Sequence, residues 1–215
     1  MYLNFYGLKE NPFNVTSDPQ FLYFSKSHEE GLSHLLYGIK EKKGFLEITG
    51  EVGTGKTTLC KALLRELDSG FKTSFILNSS LSEPQLLEAI VEDFGIGFRR
   101  RTKLALMRQL NNFLMEQVKS GVNCVLILDE AQNLSLSALE SIRLLSNLET
   151  DKEKLFQIVL VGQPELRRKL DSPLLRQLRQ RISVRFQVSP LERNEIPNYV
   201  YHRLRVAGST GYITF

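Results

Sequence analysis

Residues 50–57 combine three glycines with a lysine and a threonine at the spacing of a phosphate-binding loop. Glycines in such a loop let backbone N–H groups, and the N-terminus of the helix that follows, point at phosphate oxygens. We expect the Lys56 side chain to reach the β- and γ-phosphates and the Thr57 hydroxyl to ligate Mg²⁺. The alternative is a glycine-rich turn that only caps a helix. The pattern favours binding of a nucleoside triphosphate, with these residues around it: Gly50, Glu51, Val52, Gly53, Thr54, Gly55, Lys56, Thr57 and Thr58.

A pair of adjacent carboxylates, Asp129 and Glu130, comes directly after the apolar run 125–128. Parallel α/β sheets place ligands at the carboxyl ends of their strands, which is where these acids are expected to lie. We expect Asp129 to hold Mg²⁺, directly or through water, and Glu130 to polarise the attacking water. The pair favours hydrolysis over phosphoryl transfer to a metabolite, because a small-molecule kinase must exclude water. The alternative is two acidic residues that simply end a strand.

Four further polar side chains are candidates for supporting roles in hydrolysis. Asn78 either hydrogen-bonds Glu130 and holds it away from water, or belongs to a serine-rich turn. Gln163 either positions water near the γ-phosphate or is a loop amide bonded to the backbone. A guanidinium from a neighbouring subunit is expected to stabilise the transition state, with Arg181 favoured over Arg179. The alternative for both arginines is a solvated basic face.

Short apolar runs alternate with amphipathic helical patterns, which predicts an α/β domain with a mainly parallel sheet. Capping boxes indicate two helix starts, Ser27 with Glu30 and Ser82 with Gln85. Apolar residues at helical spacing within 32–39, 87–94, 104–118 and 136–148 are assigned to the core. A last helical stretch, 192–206, follows Pro190. The predicted strands are 45–49, 73–77, 123–128, 156–161 and 182–188.

The composition is that of a globular protein with one large domain, or a domain with a small appendage. Of the 215 residues, 42% are hydrophobic and 24% are charged, and a net charge of +4 neither demands nor excludes an acidic partner. Cys60 and Cys124 lie in apolar runs without metal-ligand spacing, which suggests structural thiols in a reducing compartment. No apolar run is long enough to span a bilayer, and the first residues lack a signal-peptide pattern. These features predict a cytoplasmic segment without membrane insertion.

With these motifs the chain resembles the AAA+ ATPases, and more narrowly the general secretion pathway protein A family and related ATPases of pilus and exopolysaccharide loci. The phosphate-binding loop alone is generic. The aromatic–proline segment 5–13, together with Gly-Gln-Pro-Glu-Leu at 162–166, is much more specific. The resemblance covers most of the chain, through residues 5–13, 18–23, 37–39, 44–45, 49–58, 129–134, 162–166, 180–182 and 202–204.

The resemblance implies a P-loop AAA+ core with a five-stranded sheet, followed by a helical lid that is incomplete in this chain. It divides the chain into an aromatic N-terminal segment near the nucleotide (1–26), the ATPase core (27–189) and the start of the lid (190–215). It also implies that ATP and Mg²⁺ bind at the interface of a homo-oligomer. Most aromatics of the N-terminal segment are expected to pack it onto the core, with one or two touching the base: Tyr2, Phe5, Tyr6, Phe13, Phe21, Tyr23 and Phe24.

The resemblance further implies an ATPase, activated by oligomerisation, that serves a bacterial envelope secretion or pilus assembly machine. Family members carry a lid arginine in a Gly-x-Pro-Arg context beyond the last residue here. They often continue into a membrane segment and a periplasmic peptidoglycan-binding region, which implies a longer protein anchored in the inner membrane.

Two other hypotheses remain open. A DNA-associated ATPase of the transposition target-selection or initiator-loader type would share this core. The basic run 99–103 suits contact with DNA phosphates as well as exposure to solvent. A nucleotide-dependent scaffold that hydrolyses slowly, if at all, is the third hypothesis, and turnover distinguishes it from the first.

Overall fold

A five-stranded β-sheet forms the centre of the computed structural model, which describes residues 2–14, 18–77, 80–97, 102–146 and 154–209. The strands within these ranges are β1 (Phe45–Gly50), β2 (Phe71–Ile76), β3 (Asn123–Leu128), β4 (Phe156–Gly162) and β5 (Ile182–Val188). They lie in the order β2-β3-β4-β1-β5, and every neighbouring pair is parallel. The predicted α/β fold with a five-stranded sheet is confirmed, and each strand starts within two residues of the expected position.

Helices cover both faces of the sheet, because parallel neighbours can only be joined by crossover connections. Among the described residues, none of the helices is both long and apolar enough to cross a membrane. The α-helices of the described residues are α1 (Tyr2–Phe5), α2 (Lys26–Lys40), α3 (Lys56–Glu66), α4 (Glu83–Asp93), α5 (Lys103–Lys119), α6 (Leu136–Leu145), α7 (Pro164–Leu170), α8 (Arg176–Arg181) and α9 (Ile196–Val206).

Two apolar clusters bury the faces of the sheet. One cluster joins α2 and α3 to the sheet through residues such as Leu35, Leu59 and Ile48. The other cluster packs the helices from α4 through α8 against the opposite face of the sheet, with residues such as Ile90 and Phe156. The central strands β1 and β4 are buried along their whole length, which explains why they read as nearly continuous apolar runs.

Some local predictions need correction. The helix start at Ser82 is confirmed as a capping box, but Ser25 caps α2 in place of Ser27. Ser27 Oγ instead accepts a hydrogen bond from the Ser189 N–H at 2.9 Å. Leu104 and Leu136, both assigned to the core, are 61% and 41% exposed. Each lies in the first turn of its helix, before the buried stripe begins.

A third, smaller cluster packs α9 against the N-terminal segment. Leu8, Phe21, Leu204 and Ala207 are buried together in this cluster. The backbone reinforces it, because the Lys9 N–H donates to the Ala207 carbonyl at 2.7 Å. α9 begins at Ile196, four residues after the predicted start at 192. Residues from the two sequence ends of the described chain therefore meet beside the main core.

Candidate active site

The loop between β1 and α3 has the backbone shape that its glycines allow. Gly53 and Gly55 have φ angles of +80° and +81°, in the left-handed region that favours glycine. A Cβ on Gly50 would lie 2.8 Å from Thr54 Oγ1 and from the Val188 carbonyl oxygen. Gly55 is the N-cap of α3 and provides no side-chain cap. The first N–H groups of α3 therefore lack an intrahelical acceptor, and such a helix end suits an anion.

Lys56 lies inside this loop with its ammonium group against the loop backbone. The residue is 6% exposed, and Nζ donates to the carbonyl oxygens of Gly50 and Glu51, each at 2.8 Å. Burial lowers the pKa of Lys56, while the nearby carboxylates of Glu130 and Asp129 oppose that shift. A desolvated cation thus stands at the centre of the glycine-rich loop.

Thr57 and Asp129 bring the first turn of α3 and the end of β3 together. Thr57 Oγ1 donates to Asp129 Oδ2 at 2.5 Å. Asp129 is 1% exposed, and burial raises its pKa, while hydrogen bonds from Thr57 and from the Glu130 N–H lower it. Mg²⁺ prefers oxygen ligands and is usually held by one or two protein groups together with phosphates and water. The hydroxyl–carboxylate pair fits that requirement.

Glu130 and two glutamines form a polar group next to Asp129. Glu130 has a φ of 53°, a left-handed conformation that is strained for a residue with a side chain. Gln163 follows β4, and its Nε2 donates to Glu130 Oε2 at 3.4 Å. Gln132 Nε2 donates to the same oxygen. The sequence analysis missed Gln132, for which the available signal was its position two residues after the acidic pair.

A pocket of about 650 Å³ lies at this edge of the sheet. The part that we call the loop wall consists of residues 51–58 with Glu130 and Gln163. The part that we call the aromatic wall consists of Phe21, Leu22 and Tyr23 with Tyr199 and Arg203 of α9. The volume is in the range of pockets that bind small molecules and cofactors. The structure thus brings the predicted phosphate-loop residues to one pocket, with Gly50 behind its surface.

Arg203 holds the aromatic wall together. Its guanidinium carbon lies 5.0 Å from the ring centroid of Phe21 and 5.7 Å from the centroids of Phe13 and Tyr199. Its Nε donates to the Pro12 carbonyl oxygen. Cation–π contacts of this kind stabilise a guanidinium between rings. Arg203 thus connects the N-terminal segment to α9, together with the Lys9–Ala207 backbone hydrogen bond and the third apolar cluster.

The aromatic N-terminal segment is less buried than predicted. Phe21 is 5% exposed, and Phe21 and Tyr23 both line the pocket. The side chain of Tyr2 lies outside the described part of the structure. The segment packs on α9 through the buried Leu8 and Phe21, and the rings of Phe13 and Tyr23 contact Tyr199. The exposed aromatics are Phe5 (81%), Tyr6 (47%), Phe13 (49%) and Phe24 (37%).

His28 supports the loop from the first turn of α2, a role that the sequence analysis missed. Its Nε2 lies 2.8 Å from the Thr54 carbonyl oxygen and must carry the proton, because a carbonyl can only accept. The neutral ring then accepts at Nδ1 from Ser25 Oγ, 2.6 Å away. Burial lowers the pKa of His28. The hydrogen bond to the Thr54 carbonyl and the negative charge of Glu195 raise this pKa and oppose the effect of burial. His28 is thus a neutral donor beneath the loop.

The candidate arginines lie far from the loop of their own chain. Arg181 directly precedes β5, and the residue after it pairs with Phe45 at the start of β1. Its Nη1 donates to Ser146 Oγ at 2.6 Å and to the Arg143 carbonyl oxygen at 3.4 Å. Arg179 pairs with Asp171, with an N–O distance of 3.3 Å. Asn78, the fourth supporting candidate, lies outside the described residues.

The basic run 99–103 is described only from Thr102 onwards. Thr102 caps α5, since its Oγ1 accepts from the Ala105 N–H at 3.3 Å. Lys103 forms an ion pair with Glu83. Both described residues of the run therefore have structural partners within the domain.

Comparison with known sequences identifies the class of protein. The profile of the family described as AAA domain matches residues 39–170, which is more than half of the chain, and the chain belongs to this family. It is 46% identical over 209 residues to General secretion pathway protein A of Aeromonas hydrophila. That match covers 97% of the chain and 38% of the relative, so the chain spans well under half of the relative's length. The family resemblance noted in the sequence is confirmed.

Solved structures agree on the fold. The ORC2 protein of Aeropyrum pernix, solved in ADPNP–ADP complexes, matches with a TM-score of 0.67 and 17% identity, over 91% of this chain and 55% of that one. CDC6P of Pyrobaculum aerophilum matches with a TM-score of 0.63 and 20% identity, over 87% and 53% of the two chains. At such identities the likeness concerns the fold, which is the α/β P-loop fold of AAA proteins.

Proposed function

We propose that the chain binds ATP with Mg²⁺ and hydrolyses it. The observation that carries this proposal is the meeting of Lys56, Thr57, Asp129 and Glu130 where β1 and β3 end. A cation, two metal-type oxygen ligands and a further carboxylate beside them are the groups that phosphoryl transfer to water requires. The membership of the AAA domain family supports the same reading.

Each of these side chains has one task in the proposal. Lys56 and the amides of the loop bind the β- and γ-phosphates, and Thr57 and Asp129 hold the metal. Bound Mg²⁺ supplies neutralisation of phosphate charge. Glu130 accepts the proton of the attacking water, and Gln163 orients that water or the γ-phosphate. We assign Asn78 the task of restraining Glu130 until a partner binds.

The position of the arginines supports hydrolysis between subunits. The register of β1 with β5 separates Arg181 from the loop by the length of a six-residue strand, about 20 Å. Arg181 cannot reach the pocket of its own chain over that distance, whereas a neighbouring copy could present it. We propose a homo-oligomer with the nucleotide at the subunit interface, and Arg181 before Arg179 as the residue acting in trans.

The similarity to General secretion pathway protein A supports a role in envelope assembly. We propose that residues 27–189 form the cytoplasmic ATPase core of a secretion or pilus assembly machine. Residues 1–26 would lie near the nucleotide, and residues 190–215 would start a lid. The partners would be further copies of the chain and components of that machine.

Steady-state turnover of Mg²⁺–ATP tests the proposal. We expect the wild type to release phosphate with a specific activity that rises with protein concentration. Glu130→Gln should bind ATP normally and lose about 10²–10⁴-fold in kcat, since it removes the general base. Arg181→Ala should also bind ATP without turnover, and mixing the two variants should restore part of the activity. An active Glu130→Gln enzyme would remove the proposed base, and an inactive mixture would remove the arginine in trans.

A titration with duplex DNA over a range of salt concentrations tests the competing function. A DNA-associated ATPase should bind at low salt and weaken steeply as salt rises, because counterions are released on binding. Thr102 and Lys103 already have partners within the domain, so their presence in the basic run does not require a contact with DNA. Absence of binding at low salt would remove the DNA hypothesis.

A further inference from the structure

Gln132 links Glu130 to the end of β4 through its side-chain amide. The Gln163 backbone N–H donates to Gln132 Oε1 at 3.1 Å. On its other side, Gln132 Nε2 donates to Glu130 Oε2. Gln132 does not line the pocket, whereas Glu130 and Gln163 do. Gln132 can therefore influence the pocket only through these two residues.

The orientation of this amide follows from its partners. A backbone N–H can only donate, so the atom of Gln132 that faces Gln163 must be the oxygen. The NH₂ group then has to point at the Glu130 carboxylate, which can only accept when ionised. A charge-assisted hydrogen bond of this type is stronger than a neutral one. The network thus fixes which carboxylate oxygen of Glu130 is restrained.

The surrounding structure is built around the amide. A Cβ on Gly162 would lie 2.6 Å from Gln132 Oε1, so the close approach requires a glycine at the end of β4. Lys169 Nζ donates to the carbonyl oxygens of Gln132 and Leu134, which fastens the turn to α7. Among the described residues, no donor reaches the second oxygen of Glu130, Oε1. That oxygen is left to accept from water.

We propose that Gln132 is a positioning residue for hydrolysis, which holds one oxygen of Glu130 so that the other faces the attacking water. The inference rests on the proposed role of Glu130 as general base. It adds that the orientation of Glu130 is coupled to the end of β4, where Gln163 enters the pocket. Movement of the end of β4 with the γ-phosphate would therefore shift Glu130 through the Gln132 amide, in addition to the direct contact from the Gln163 side chain.

Substitution of Gln132 should separate turnover from binding. We expect Gln132→Ala to lower kcat by about 10²-fold, because a misplaced catalytic group costs that much. The Kd for Mg²⁺–ATP should change by less than about twofold, since Gln132 makes no contact with the pocket. Asn133→Ala is the matched control, because Asn133 is exposed in the same 3-10 turn. It should retain wild-type kcat and Kd.

Two further variants distinguish positioning from a structural role. Gln132→Glu keeps the size and the acceptor for the Gln163 N–H but cannot donate to Glu130, so it should be as slow as Gln132→Ala. Gly162→Ala should displace the amide and give the same loss of kcat. Recovery of activity in Gln132→Glu, or equal losses of kcat and affinity in Gln132→Ala, would overturn the inference. Wild type and Gln132→Ala with equal turnover would also overturn it, yet leave the proposed ATPase intact. A wild type without turnover would refute both.

Discussion

The two walls of the pocket are held in different ways. The loop wall rests on the sheet, and Lys56 and Thr57 are bonded to the loop backbone and to Asp129, directly after β3. The aromatic wall joins two segments largely through side-chain contacts, including those of Arg203, whose carbonyl partner lies 191 positions away in the sequence. A loop fixed by backbone geometry gives an all-or-none site, whereas ring contacts of about 1 kcal/mol each give a graded one. We therefore expect the loop wall to determine whether a triphosphate binds. We expect the aromatic wall to determine which nucleoside triphosphate binds best.

The largest effect is expected at the loop wall. Lys56→Ala removes a charged donor, which is worth about 3 kcal/mol or more, and should weaken ATP by at least about 10²-fold. Inorganic tripolyphosphate should lose affinity to the same extent, since it lacks only the nucleoside. Lys61→Ala on the same helix, outside the pocket lining, is the control. Isothermal titration of the wild type and both variants with ATP and with tripolyphosphate measures these affinities, and an unchanged Kd for Lys56→Ala would contradict the loop assignment.

A smaller effect is expected at the aromatic wall. Arg203→Ala removes three ring contacts of about 1 kcal/mol each and should weaken ATP by about tenfold, because these contacts order the aromatic wall and not the phosphate loop. The affinity for tripolyphosphate should stay the same, in contrast with Lys56→Ala. Arg203→Lys should fall in between, as an ammonium keeps the charge but not the planar stack. Arg205→Ala, exposed on the same helix, serves as the control. If Arg203→Ala lost equal affinity for ATP and for tripolyphosphate, the proposed difference between the two walls would be wrong.

The smallest effect is expected at His28, which joins α2 to the loop wall. Because burial lowers its pKa below the ordinary value of 6.5, the unfolded chain takes up a proton on acidification more readily than the folded one. Stability should therefore decline as the pH falls below about 6.5. His28→Gln can still donate to Thr54 and does not titrate. Between about pH 8 and about pH 5, the melting temperature of the wild type should fall about 3 °C further than that of His28→Gln. If the melting temperatures of the wild type and His28→Gln fall in parallel, His28 is not the source of the loss of stability at low pH.

The loop wall could be read from the sequence because its chemistry is local. The phosphate-loop spacing placed residues 51–58 at one pocket, and the apolar run before Asp129 correctly predicted the end of β3. The strand positions were predictable for the same reason, since buried parallel strands leave uninterrupted apolar runs. Local patterns were less reliable at helix ends, where Ser25 competes with Ser27 for the cap of α2.

The aromatic wall and the glutamine network could not be read in this way. Arg203 meets Pro12 and Phe13 only after the chain has folded, and no spacing rule connects them. Gln132 accepts from the backbone N–H of Gln163, a contact 31 positions away that depends on the register of β3 with β4. Burial of the N-terminal aromatics was overestimated, because their density indicated packing without showing which of them remain exposed.

The bridge made by Arg203 has a practical consequence for anyone who shortens the protein. A version that starts at Ser25 would retain the loop, the acidic pair and the cap of α2. It would lack Pro12, Phe13 and Phe21, and would leave a guanidinium without its carbonyl and two of its rings. Such a shortened domain should fold and still bind polyphosphate, but it should discriminate poorly among nucleosides. Affinity tags are therefore better placed away from this end.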